Sequence, residues 1–119
     1  DERGMGGSKM TLNDYQEAAH GTSRNIRIGN DTLLYPVLGL AGEVGELVNK
    51  VKKIYRDNAG VLSNTRRVEI ADELSDCLWY VAELATQLNF YLDEIAAANL
   101  HKLADRANRG VISGGGDNR

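Results

Sequence analysis

From Leu12 onward, apolar residues return every three or four positions, the spacing of helices that bury one face. Four such segments are predicted. The first runs from about Leu12 to Ser23, with Thr11 as N-cap and Asp14 in the first turn, where a carboxylate favours the helix dipole. Arg24 to Asp31 carries Gly29 and two asparagines and reads as a loop. The second helix runs from Thr32 or Leu33 to Arg56, with Pro36 in its first turn, where a missing N–H costs little, and Asn58-Ala59-Gly60 ends it. The third extends from about Thr65 to Leu88, capped by Asn64. The fourth spans about Tyr91 to Arg109, with Gly110 placed for a left-handed C-cap. No strand-like alternation of useful length occurs. Short links between the segments predict an all-α, four-helix, bundle-like single domain.

Composition narrows the picture. The length, 119 residues, suits one domain. The net charge of −3 argues against a dedicated nucleic-acid binder, which needs clustered Lys and Arg to neutralise phosphates. No apolar run approaches the roughly 18 residues of a membrane span. The lone Cys77 has no intramolecular disulfide partner, which fits a reducing, cytoplasmic setting. Residues 1–9 hold three glycines and no periodicity, and read as a leader or expression scar, with Met10 as the plausible start of a domain over 10–119. Glycine returns at Gly114-Gly115-Gly116, so both ends are expected to be mobile.

The chemically specific feature is a doubled octet. Leu40-Ala41-Gly42-Glu43-Val44-Gly45-Glu46-Leu47 matches Ile70-Ala71-Asp72-Glu73-Leu74-Ser75-Asp76-Cys77 thirty positions on. At about 100° per residue, with Glu43 at zero, Leu40, Val44, Leu47, Val51 and Ile54 fall within about 20–100° and Glu46 near −60°. With Glu73 at zero, Ile70, Leu74, Cys77, Val81, Leu84 and Leu88 fill the same sector, and Asp76 falls near −60°. Each helix thus carries an i, i+3 carboxylate pair on one edge of its apolar stripe. If the stripes pack face to face, four carboxylates converge at the border of the core. Such acids repel unless a divalent cation offsets them. Oxygen-only ligands suit Mg²⁺, with Mn²⁺ as a substitute. Solvated helix faces are the plain alternative for either pair alone. No His stands at i+3, so the di-iron bundle signature is missing.

Other residues border this pattern. Gly39 and Gly42 lie beside the carboxylates on the wheel, where missing bulk leaves room for a ligand or for close helix packing. In the fourth helix Asn99, Lys102, Arg106 and Arg109 fall within about 40° of one line, a strip fit for phosphates or simply for a helix C-terminus. Tyr80 shares the edge of Glu73. Lys50, Lys52, Lys53 and Arg56 read as a solvated helix end, with Lys53 able to face an anion. Trp79 is expected in packing or an interface, Cys77 as an inert buried thiol, and His20 and His101 as surface residues without partners.

The run from Gly39 to Leu47, Lys52-Lys53 and Glu73-Leu74-Ser75-Asp76 resemble the MazG-like nucleotide pyrophosphohydrolases of the all-α NTP pyrophosphatase superfamily. The likeness extends to Asn99-Leu100-His101-Lys102-Leu103 and the Asp117-Asn118-Arg119 ending. It implies Mg²⁺-dependent cleavage of a nucleoside triphosphate to the monophosphate and pyrophosphate. It further implies Glu43, Glu46, Glu73 and Asp76 as metal ligands and catalytic residues, with Glu43 helping to orient or deprotonate the attacking water. Tyr80, Asn99 and Lys102 match positions near the nucleotide, and Arg106 and Lys53 are added as candidate substrate contacts. Assembly as a homodimer or homotetramer is implied, with sites completed across subunits. Within the superfamily a phosphoribosyl-ATP pyrophosphatase or dUTPase-like activity is the alternative. Outside it the alternative is a non-catalytic helical module for self-association.

Overall fold

The computed structural model describes residues 9–110; the expected leader before Lys9 and the glycine-rich ending lie outside them. Four helices follow one another: α1 Leu12–His20, α2 Leu34–Asp57, α3 Asn64–Gln87 and α4 Leu92–Arg109. There are no strands among the described residues, only one isolated bridge between Ile28 and Asp31 in the α1–α2 connection. The all-α reading holds.

Local chemistry sets the helix ends. Thr11 caps α1 through a reciprocal pair with Asp14: the Asp14 N–H donates to Thr11 Oγ1 and the Thr11 N–H to Asp14 Oδ2, both at 3.0 Å. The helix stops at His20, three residues before the expected Ser23, because Gly21 and Thr22 turn the chain and Thr22 Oγ1 donates to the Ala19 carbonyl. α2 begins at Leu34 because Asp31 acts as a displaced cap, its Oδ1 accepting from the N–H groups of Leu33 and Leu34 at 2.7 and 2.9 Å. Ser63 rather than Asn64 caps α3, accepting from the Arg66 N–H. Gly110 closes α4 at φ 70°, the left-handed cap that its position predicts.

The packing departs from a closed bundle. α2 and α3 lie against each other over most of their length, while α1 covers the C-terminal half of α3. α4 packs on α1 and α3, and no residue pair of α2 and α4 approaches within 8 Å between Cα atoms. The radius of gyration is 17.6 Å, against about 13 Å for a compact chain of ~100 residues. The buried apolar cluster is small, made of Ala82, Ala85 and Leu92 with Tyr15 and Val81 against it.

The apolar stripes on α2 and α3 are correspondingly only half used. Pro36, Leu40, Leu47 and Ile54 face the helix partner, but Val44, Val51, Leu74 and Leu88 stand in solvent. The buried sector of α2 is centred near the direction of Glu43 itself, about 50° from the middle of the apolar stripe. Glu43 and Glu73 therefore sit within the α2–α3 interface, while Glu46 and Asp76 stay exposed at its border.

A polar bracket ties the small core together. Gln16, buried on α1, donates through Nε2 to Thr86 Oγ1 at 3.1 Å and to the Phe90 carbonyl at 2.9 Å, and its Oε1 accepts from the Leu92 N–H at 2.7 Å. One side chain thus satisfies the turn between α3 and α4. Gln16→Leu strands the buried Leu92 N–H and is expected to cost about 2 kcal/mol. Urea unfolding followed by helical signal checks this, and an unchanged midpoint contradicts the bracket.

Candidate metal centre

Glu43 on α2 faces Glu73 and Asp76 on α3, and one carboxylate oxygen from each lies within 4.8 Å of the others. Helix spacing makes the arrangement: Glu73 and Asp76 are one turn apart on the α3 face that meets α2. Glu73 is buried, with 6 % of its surface exposed; Asp76 is exposed and Glu43 intermediate. Glu46, the fourth acid of the doubled octet, is exposed and lies outside this trio, though its charge still reaches Glu43.

The electrostatics divide the three acids. Burial pushes the Glu43 carboxyl above the ordinary glutamate range, and a hydrogen bond to Glu73 with the nearby charges of Asp76, Glu73 and Glu46 pushes it further. Glu73 is held below that range, first by Lys50, whose Nζ lies 2.8 Å from Oε2, with burial opposing. The two shifts are opposite in direction, Glu43 favouring its protonated form and Glu73 its ionised form, with Lys50 as the cation paired to Glu73. Lys50 was expected at a solvated helix end. Its position seven residues after Glu43 puts it on the same face of α2, which is the signal that reveals it.

Tyr80 is where its register places it. Its ring fills the space that a Cβ on Gly39 would occupy, so the room left by this glycine belongs to Tyr80 rather than to a ligand. Gly42 and Gly45 do face open space. The Tyr80 hydroxyl is pushed up by burial, then by Tyr35, Glu43 and Asp76, which places it between the acids and Tyr35. Cys77 beside the acids is raised by burial and by their charge, which keeps it a thiol.

The remaining candidates separate. Lys53, partly buried, contributes charge to Asp57 near the end of α2. It lies ten residues beyond Glu43, about 15 Å along the helix. Asn99 and Lys102 are exposed on α4, which does not reach α2. Arg106 is buried, at 7 % exposure, and Arg109 pairs with Asp105 at 2.8 Å, so the basic line is not one open strip. His20 also departs from expectation: its Nδ1 lies 2.9 Å from Oε1 of the buried Glu83. Trp79 packs as expected, edge-on to Tyr80 with centroids 5.0 Å apart, while its Nε1 donates to Thr22.

A group that binds a hard divalent cation must present converging oxygens, and the trio does so beside the Lys50 ammonium. The donor set fits Mg²⁺ or Mn²⁺. Among the described residues no other cluster of three His, Cys, Asp or Glu side chains converges in this way.

Comparison with known proteins identifies relatives of the chain. The family model of the MazG nucleotide pyrophosphohydrolase domain matches residues 32–111. The chain is 46% identical over 114 residues to the gene 37 protein of Mycobacterium phage L5, an alignment covering 92% of this chain and 100% of that protein. No solved structure matches.

Two outcomes follow from the geometry. Gly39→Ala drives a methyl group into the Tyr80 ring and is expected to displace it, altering the Trp79 near-ultraviolet signal while helical content stays; an unaltered signal contradicts the contact. Because the folded-state pKa of Glu43 is raised, its contribution to stability is full at acid pH and is lost as pH rises through that value. Glu43→Gln removes this loss. In chelator, the variant is expected to gain thermal stability relative to the parent as pH rises above the ordinary glutamate pKa of about 4.3, and a pH-independent difference contradicts it.

Proposed function

The chain belongs to the MazG nucleotide pyrophosphohydrolase domain family, and on that footing we propose that it hydrolyses nucleoside triphosphates to monophosphates and pyrophosphate, dependent on Mg²⁺. The observation that carries this reading is the convergence of Glu43, Glu73 and Asp76 on one point. These three would hold the ion, with Glu46 adding charge from the next turn. When bound, Mg²⁺ supplies Lewis-acid chemistry and neutralises phosphate charge. Glu43, with its raised pKa, is the acid suited to hold the proton of an attacking water at its carboxylate. Asp76, exposed, opens the site toward an incoming triphosphate. Tyr80 closes the other side and excludes water.

The functional unit in this reading is a homodimer or a dimer of dimers. Two observations support it. Val48 on α2 and Leu100 on α4 are 62 % and 67 % exposed, and Val44 on α2 and Leu74 and Leu78 on α3 are exposed as well. Surfaces of this kind mark association. Moreover α4, which carries Asn99 and Lys102, stands apart from α2. Packed against a second copy, it would offer those cationic and amide groups to the partner's acids, where they stabilise developing phosphate charge. Among the described residues no helix is long and apolar enough to cross a bilayer.

Pyrophosphate release from a panel of ribo- and deoxyribonucleotides tests the activity. Asp76→Asn is expected to keep the helical fold and lower turnover more than about 100-fold, beyond the loss from a supporting residue; full activity in that variant refutes the assignment. Mixing Asp76→Asn with Lys102→Ala subunits is expected to restore about a quarter of parental activity, since half of randomly paired dimers carry one intact site. No restoration in a protein shown to exchange subunits contradicts sharing of the site.

A further inference from the structure

A second concavity lies beside the acidic trio, between the α1–α2 connection and the C-terminal half of α3. Its volume, about 220 Å³, is below the roughly 300–1,000 Å³ that encloses a whole small molecule, and suits a single planar ring system. Tyr35, Pro36, Trp79 and Tyr80 give it flat apolar walls. Trp79 is fixed by its Nε1 bond to Thr22 Oγ1, 2.9 Å, and by its edge contact with Tyr80. Aromatic walls held in place are platforms on which bases stack.

One buried charge lines this space. Glu83, 4 % exposed, has no part in the acidic trio. Its Oε1 faces His20 Nδ1 at 2.9 Å, and its Oε2 accepts from Gln87 Nε2 at 3.1 Å. A carboxylate has about four acceptor sites, so capacity remains on both oxygens. Position along α3 ties the cavity to the trio. Asp76, Tyr80, Glu83 and Gln87 succeed one another on one side of the helix, and Asp76 to Glu83 spans about 10 Å. That span matches a nucleotide laid along α3, phosphates at Asp76 and base at Glu83. Tyr80 borders both sites.

We propose that this cavity receives the nucleobase and that Glu83 selects bases bearing an exocyclic amine. The proposal rests on the nucleotide reading above and deepens it. Ionised Glu83 can only accept hydrogen bonds, so an amine of cytosine or adenine satisfies it. A carbonyl at the same ring position sets acceptor against acceptor and gains no hydrogen bond from Glu83. A site built around one hydrogen bond rejects the analogue that lacks it more strongly than shape alone does.

Trp79 is the only tryptophan in the chain, so its fluorescence reports this cavity directly. The titrants are deoxycytidine against deoxyuridine monophosphate and deoxyadenosine against deoxyinosine monophosphate, in chelator so that no metal contributes. Saturable quenching is expected, with the amine-bearing member bound about tenfold more tightly in the pair whose ring the cavity admits. Glu83→Gln is expected to remove that preference. The parental comparison within each pair decides the matter even if the variant does not fold. Equal affinities within both pairs overturn the proposal, as does quenching by inorganic phosphate alone or no quenching by any nucleotide. Those results leave pyrophosphate release untouched if it is present. Discrimination within a pair without any pyrophosphate release sinks the hydrolase reading instead and leaves the cavity assigned.

Discussion

Three carboxylates brought together across two helices repel one another, and the α2–α3 pair is organised around offsetting that repulsion. Lys50 holds the buried Glu73 carboxyl below the ordinary glutamate range, while burial first, and then the hydrogen bond to Glu73 and the charges of its acidic neighbours, push Glu43 above it. The result is a site with one more negative charge than it can comfortably keep as pH rises, and a hard cation is what relieves it. In the proposed reading, the groups whose mutual repulsion weakens the fold are the ones that would hold the ion, so Glu43 would set stability against activity, a trade that functional sites commonly carry.

Around this centre the sequence economises on bulk. Gly39 lets the Tyr80 ring lie on α2, so a single aromatic residue separates the acids from the cavity that Trp79, Tyr35 and Glu83 enclose. The thin apolar cluster and the exposed valines and leucines of α2, α3 and α4 leave much of the chain's hydrophobic surface uncovered. A chain that buries so little by itself has apolar surface to offer a partner, as the proposed self-association requires. An α4 that stands clear of α2 is suited to serve a neighbour's site as well as its own stability.

Much of this was legible from residue spacing. Helical periodicity, Thr11, Pro36 and Gly110 located four helices to within a few residues, since caps and breakers act locally. The doubled octet brought Glu43, Glu73 and Asp76 together because register along two packed helices is a local property as well. What spacing did not reveal depends on how helices meet. The apolar stripe suggested a contact centred away from Glu43, whereas α2 turns Glu43 inward and leaves Val44 and Val51 outside. Lys50 shows its role only once Glu73 is opposite it, and His20 only once α1 lies over Glu83. Both partners are more than twenty residues distant in the chain. The reach of Asn99 and Lys102 likewise depends on the path of α4, which no pattern within that helix records.

The most direct measurement is Mn²⁺ uptake by the metal-free protein, followed by the loss of the free ion's paramagnetic resonance signal. Saturable binding that disappears in Glu73→Gln, with helical content preserved, is the result this account predicts. A protein that takes up no Mn²⁺ at neutral pH, or a variant that binds it as the parent does, contradicts it.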